Sequence, residues 1–260
     1  MAAIPTSAAS APRAFAAALA SVVNEVTRRT PAPRDLPFFG LDHPGSATAE
    51  RLERLSDLGI FRFYERVLDL AAGLGGPARW LARRRGCTVV SFDRSRERAV
   101  ASRLLVVRAH LDRAVRVGVA AFESLPATGA AFTHAWSVEA LGEEADTRAI
   151  FAELFRVVRP GGQVALQEWS RSRSEQAVEY VASLEAAGFR DVRAVAVASP
   201  RPDDSTIAAL VRAQLVERLE PNEAAASNLV PAAPIALAEP ERASFEGDRT
   251  LFQIFASRPA

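Results

Sequence analysis

The stretch Val67-Leu68-Asp69-Leu70-Ala71-Ala72-Gly73-Leu74-Gly75-Gly76, followed by Thr88-Val89-Val90-Ser91-Phe92-Asp93, decides the fold. It reads as a short apolar strand, a glycine-rich turn opening into a helix, and a second apolar strand ending on a carboxylate twenty residues after Gly73. Glycines let a ligand approach the backbone closely, and an acid at the end of the second strand accepts hydrogen bonds from both hydroxyls of a ribose. The layout predicts a site for an adenosine-containing small molecule.

The turn narrows the choice of ligand. A dinucleotide fingerprint, G-x-G-x-x-G, aims a helix N-terminus at a pyrophosphate. Here the pattern is D-x-A-x-G-x-G, with Asp69 at the end of the first strand. A carboxylate there repels a pyrophosphate and suits a ligand with an ammonium group. S-adenosylmethionine has one, and its sulfonium is cationic as well.

Composition bounds the alternatives. The chain has 260 residues, is 49% hydrophobic and carries a net charge of +1. That is room for one large α/β domain with a cap, or for two small domains, with no electrostatic pull toward nucleic acid. Every basic residue is arginine, which removes Schiff-base chemistry and a P-loop lysine. The single cysteine, Cys87, permits no internal disulfide and no cysteine-rich metal site, and reads as a small buried residue. His43, His110 and His134 have no metal-motif spacing. No apolar run approaches the roughly 20 residues of a membrane span. Residues 1–34 are alanine-rich with arginines and few acids, as a transit peptide can be. Phe15, Leu19, Val22, Val23 and Val26 nevertheless share one helical face, which predicts a cap helix over about 11–29. The expectation is a cytoplasmic protein acting on a small molecule, without nucleic-acid or membrane partners.

From residue 66 the apolar pattern alternates strand with helix, the sign of a parallel sheet. Strands are expected at 66–70, 87–92, 115–119, 131–136, 163–168, 192–198 and 250–257. Helices are expected at 46–58 with Ser46 as N-cap, and at 76–85, 95–111, 146–158, 174–187 and 204–219. Arg83-Arg84-Arg85 complements a helix C-terminus. Arg159-Pro160-Gly161-Gly162 reads as a helix stop and a turn, and Ala187-Gly188-Phe189 closes the next helix. Residues 221–247, rich in Ala, Pro, Glu and Ser, read as a mobile lid or a disordered loop.

These motifs carry a resemblance. From about residue 43 onward the chain resembles class I S-adenosylmethionine-dependent methyltransferases, especially those of sterol, small-amine and quinone biosynthesis. The run from Val67 through Gly76-Pro77-Ala78-Arg79-Trp80-Leu81-Ala82 is similar to that family's first motif, and Phe92-Asp93-Arg94-Ser95 to its ribose-binding strand end. Leu125-Pro126 with Phe132 to Leu141 is similar to its fourth strand, and Phe155-Arg156-Val157-Val158-Arg159-Pro160-Gly161-Gly162 to its approach to the fifth.

The resemblance implies a Rossmann-like, doubly wound, seven-stranded, mostly parallel sheet with an antiparallel C-terminal strand. A helical cap over 1–60 would precede a cofactor-binding domain over 61–260. Asp69, Ala71, Gly73 and Gly75 would face the methionine portion of S-adenosylmethionine, or of the product S-adenosylhomocysteine. Asp93 would bind ribose, Arg94 would pack near adenine together with Ala121 and Phe122, and Trp136 and Ser137 would lie beside the methyl group. Glu139, His43 and Glu168 are the candidate bases. Phe38, Phe39, Leu41 and Trp169 are candidate walls for a mostly apolar acceptor of natural-product or lipid type.

Three positions depart from the family pattern: Ala121 replaces the aspartate that receives the adenine amine, Thr133 stands where an acid is common, and Gly142-Glu143 replaces a frequent histidine. One lost charge-assisted hydrogen bond costs roughly 1.5–3 kcal/mol, about 10- to 100-fold in affinity, with Glu123 a partial substitute. The departures keep two other readings open: a cyclase or pericyclase on the same fold that transfers no methyl, and a catalytically silent binding partner.

Overall fold

A computed structural model describes residues 49–141, 146–170, 175–197 and 250–260, together with Ala17 and Ser21, which are helical. The rest of the cap helix expected over 11–29, His43, Phe38, Phe39, Leu41, Gly142-Glu143, the helix expected at 204–219 and the stretch 221–247 lie outside the described residues.

Val67, Leu68 and Leu70 of β1 (Arg66–Leu70) are buried, as a strand covered on both faces requires. Around it the described elements run α1 (Ala49–Leu58), β1, α2 (Gly76–Arg85), β2 (Thr88–Asp93), α3 (Arg96–Arg108), β3 (Val115–Val119), β4 (Phe132–Val138), α4 (Thr147–Val157), β5 (Val158–Ser170), α5 (Glu175–Ala187), β6 (Arg190–Val197) and β7 (Thr250–Ser257). The seven strands form one sheet in the order β3-β2-β1-β4-β5-β7-β6. The first five are mutually parallel, and β7 runs antiparallel to both β5 and β6. Strand order reverses between β1 and β4, and in such sheets the ligand crevice opens outside the carboxyl ends at that reversal.

Two apolar layers clamp the sheet. On one face Leu52 and Leu55 of α1 join Trp80, Leu81, Val89, Val106 and Trp136. On the other, Ile150, Phe151 and Leu154 of α4 and Tyr180 and Leu184 of α5 pack over Leu68, Phe132 and Leu166. Helix α1, assigned from sequence to the cap, thus contributes fully buried leucines to the main core. The arginines closing α2 do more than complement its dipole: Arg84 and Arg85 pair with Glu53, and Arg85 with Asp57, tying α2 to α1.

Several boundaries differ from expectation. The run Arg159-Pro160-Gly161-Gly162 is not a turn, because β5 begins at Val158 and absorbs it. Gly161 (φ 72°) donates its N–H to the Arg258 carbonyl and Gly162 accepts from the Arg258 amide, so the glycines form a distorted strand start held by the chain's last segment. Between Phe132 and His134 the β4–β5 register shifts to accommodate the insertion. Strand β4 runs two residues beyond the expected end, to Val138, bringing Glu139 to the sheet's carboxyl edge.

Candidate cofactor site

The glycine turn leads from the carboxyl end of β1 into α2 and packs beside the carboxyl end of β2. Ala71 (φ 58°), Gly73 (φ 55°) and Gly75 (φ 74°) all adopt left-handed backbone conformations, so the chain reverses tightly after Leu70. A Cβ placed on Gly73 would meet nothing within 4 Å, leaving an open cradle above that residue. Gly75 is different. Its Cβ would collide with the Ser102 hydroxyl of α3, so this glycine allows close packing against that helix.

Asp93 closes the cradle from the second strand. Its Oδ2 accepts the Gly73 N–H at 2.8 Å and its Oδ1 accepts the Ser95 N–H at 2.8 Å, with Arg98 Nε 3.5 Å away. Two backbone donors thus orient a nearly buried carboxylate, and each oxygen retains a lone pair for a further donor. Next to it, the Arg94 guanidinium lies over the Phe122 ring at 4.6 Å and pairs with Glu123 Oε1 at 2.5 Å. Phe122 is buried, while Ala121 is exposed.

Asp69 sits one strand over and is buried. Burial pushes its carboxyl up to about 7; the Ser91 hydroxyl, 3.2 Å from Oδ2, and the Trp136 indole hold it down, and the Asp93 charge adds to the rise. The indole N–H stands close enough to steady the charge without closing to hydrogen-bond geometry. Trp136 and Ser137 are themselves fully buried. Trp136 steadies Asp69 from within the sheet, and both side chains lie in the core rather than on an open surface.

At the end of β4, Glu139 takes a left-handed conformation (φ 55°) unusual for its type. Its Oε1 accepts from Gln167 Nε2 at 2.7 Å, and its Oε2 from Trp169 Nε1 at 3.0 Å. Behind it, Gln253 Nε2 donates to Gln167 Oε1 at 3.0 Å and to the Arg51 carbonyl of α1 at 3.1 Å. Burial lowers the Arg51 guanidinium, which the charges of Glu139 and Glu50 oppose. Glu168, the other candidate base within the described residues, is buried, and its Oε1 accepts the Ala140 and Leu141 amides at 3.1 and 3.0 Å. It shapes the loop after β4.

Sequence reasoning missed Ser91, Gln167, Gln253 and Arg79. Arg79 is buried beneath the turn, donating Nη1 to the Leu74 carbonyl at 2.6 Å, with burial pushing its guanidinium down to about 9. The Gly76-Pro77-Ala78-Arg79 run was a signal for it; the glutamines, spaced along apolar strands, offered none. Thr133 proves irrelevant to the cradle, since its hydroxyl bonds the backbone of Arg66 at the opposite end of β1. Cys87 is buried, and burial, the Glu65 charge and the opposing Arg85 charge leave its thiol pushed up to about 12, far from a nucleophile at neutral pH.

Residues 68–166 match the model of a methyltransferase domain. The chain is 33% identical over 123 residues to 24-methylenesterol C-methyltransferase 2 of Oryza sativa subsp. japonica, a match covering 47% of this chain and 34% of the rice protein. It thus spans about a third of that relative's length. Among solved structures, the [4+2]-cyclase SpnF superposes with a TM-score of 0.64 at 18% identity, covering 92% of this chain and 93% of that one. Geranyl diphosphate C-methyltransferase from Streptomyces coelicolor A3(2), solved with Mg2+, geranyl diphosphate and S-adenosyl-L-homocysteine, superposes at 0.55 with 19% identity over 81% of this chain and 79% of that one. No described helix is long and apolar enough to cross a membrane. Residues 68–166 are thus similar to a methyltransferase domain, and the chain shares the fold of the solved methyltransferase it superposes on.

Proposed function

We propose that this protein transfers a methyl group from S-adenosylmethionine to a small, mostly apolar acceptor of natural-product or lipid type. The observation that carries the reading is the open cradle over Gly73, bounded by a carboxylate that two backbone amides hold in place. When bound, S-adenosylmethionine supplies an electrophilic methyl group on a cationic sulfur. Asp69 would face the ammonium of the methionine portion, Gly73 would allow its close approach, and Asp93 would accept the ribose hydroxyls.

Methyl transfer is an in-line displacement in which charge disperses, so the protein's main contribution is alignment. Near-attack geometry supplies up to about 7–11 kcal/mol. Glu139 and the half-buried Trp169 stand at the carboxyl ends of β4 and β5, beside the strand-order reversal, and form the acceptor side. With both its oxygens accepting donors that can only donate, Glu139 is a fixed acceptor of hydrogen bonds and orients the incoming nucleophile. The apolar character of the acceptor is supported by the sterol named for the rice relative and the prenyl diphosphate bound in the Streptomyces structure.

Calorimetric titration with S-adenosylhomocysteine tests occupancy, and thermal unfolding rises with a ligand that binds only the native state. Transfer of labelled methyl to an apolar acceptor tests the chemistry. Product formation that survives removal of the cofactor would reassign the protein as a cyclase on the methyltransferase fold.

A further inference from the structure

Building on the cofactor reading, we infer that the nucleobase is held by stacking on its face rather than by recognition of its edge, so that the site accepts S-nucleosyl ligands altered at the six-position of the purine. β3 pairs with β2 so that Val119 lies beside Asp93, and Arg94, Ala121 and Phe122 therefore flank the position a base would take beyond a ribose anchored on Asp93. An exocyclic amino group is a hydrogen-bond donor, and selecting it requires an acceptor.

The side chain available at the β3 end is the methyl of Ala121. Its carbonyl is turned into the Ala121–Ser124 bridge, accepting the Ser124 amide at 3.3 Å. The carboxylate two residues on, Glu123, is turned to Arg94 at 2.5 Å, and its own backbone amide together with Arg94 keeps that carboxyl below its usual range. Ala121 is exposed, which leaves room beside the base where a larger side chain would stand.

The flat surface beside the base is well defined. The Arg94 guanidinium covers the Phe122 ring at 4.6 Å and is pinned by Glu123, so a planar, oriented cation is presented next to Asp93. Guanidinium planes stack on bases, and stacking tolerates substitution because every purine has a π-face. Such a site binds an adenosyl and an inosyl ligand about equally, although one offers an amino donor and the other a carbonyl acceptor at the same position.

Isothermal titration of the full chain with S-adenosyl-L-homocysteine, its N6-methyl derivative and S-inosyl-L-homocysteine tests the inference. The three dissociation constants are expected to agree within about threefold. In Ala121→Asp, an exposed substitution whose folding is checked by thermal melting, the adenosyl ligand should gain about tenfold or more over the inosyl ligand. A wild-type preference for the adenosyl ligand of about tenfold or greater, or an unchanged ratio in A121D, overturns the inference while leaving the cofactor assignment intact. Absence of binding by all three ligands overturns both.

Discussion

The Asp93 carboxylate accepts the Gly73 amide at 2.8 Å across twenty residues of chain, so the side chain that ends β2 also shapes the glycine turn. The second oxygen accepts the Ser95 amide, also at 2.8 Å. Asn at this position is therefore not a neutral isostere. Whichever way its amide turns, its NH2 meets a backbone N–H, and one bond becomes a donor–donor clash. Asp93→Asn should lose about 1–3 kcal/mol of stability in urea unfolding. It should also weaken S-adenosylhomocysteine about 10- to 100-fold by calorimetry. Retained affinity would show that the ribose is held elsewhere.

The raised carboxyl of Asp69 predicts a cofactor affinity that depends on pH. Its carboxyl is pushed up to about 7 by burial, against 3.8 for the ordinary group. A raised native value means that the folded chain binds a proton that the unfolded chain releases. The contribution to stability is therefore fully present below about pH 4 and is lost as pH rises through 7. The ligand's ammonium has the opposite preference, because it favours the ionised carboxylate. S-adenosylhomocysteine should bind about tenfold more tightly at pH 8 than at pH 6, while the ligand-free protein melts at a higher temperature at pH 5 than at pH 8 through this group. Asp69→Asn should flatten both profiles. Profiles that keep their slopes in the variant would assign the pH dependence to another group.

The two glycines should fail in different ways. Gly73→Ala puts a methyl into open space, so the fold should bear only the left-handed strain of about 1–2 kcal/mol, while ligand binding is lost because the methyl fills the cradle. Gly75→Ala drives its methyl into Ser102 and should lower the melting temperature more. Adding Ser102→Ala should recover part of the stability in the Gly75 variant and none of the binding in the Gly73 variant. Equal melting temperatures for the two single variants would refute the assignment of separate roles.

The fold was legible because β1 and β2 are short, largely apolar runs separated by a glycine turn, each with an acid at or next to its last residue, patterns that depend only on neighbouring residues. The β5 entry was misread because the Pro160-Gly161-Gly162 signal is local, whereas the partner that straightens it, Arg258, is about a hundred residues away. Asp69 and Asp93 were legible as types at fixed spacing. The burial of Trp136 and Ser137 was not, since in a strand buried on both faces alternation no longer separates lining residues from core. Gln167 and Gln253 were invisible for a related reason: a polar residue within an apolar strand declares its partner only when β5 and β7 pair and place the two in register.

That glutamine pair fixes the direction of the hydrogen bonds reaching Glu139. The Arg51 carbonyl can only accept, so Gln253 must present its NH2, Gln167 must then offer its oxygen to Gln253, and the Gln167 NH2 is left facing Glu139. Gln253→Leu removes one donor and strands two buried acceptors, Arg51 O and Gln167 Oε1. It should cost about 1–3 kcal/mol. Gln167→Leu in the same chain removes one of the stranded acceptors, so the double variant should be less destabilised than the two single losses summed, by about 0.5–3 kcal/mol. Urea unfolding of the four proteins measures that coupling. A sum within error of additive would mean that the glutamines do not act as one relay, and that the seating of α1 is independent of the carboxylate at the acceptor side.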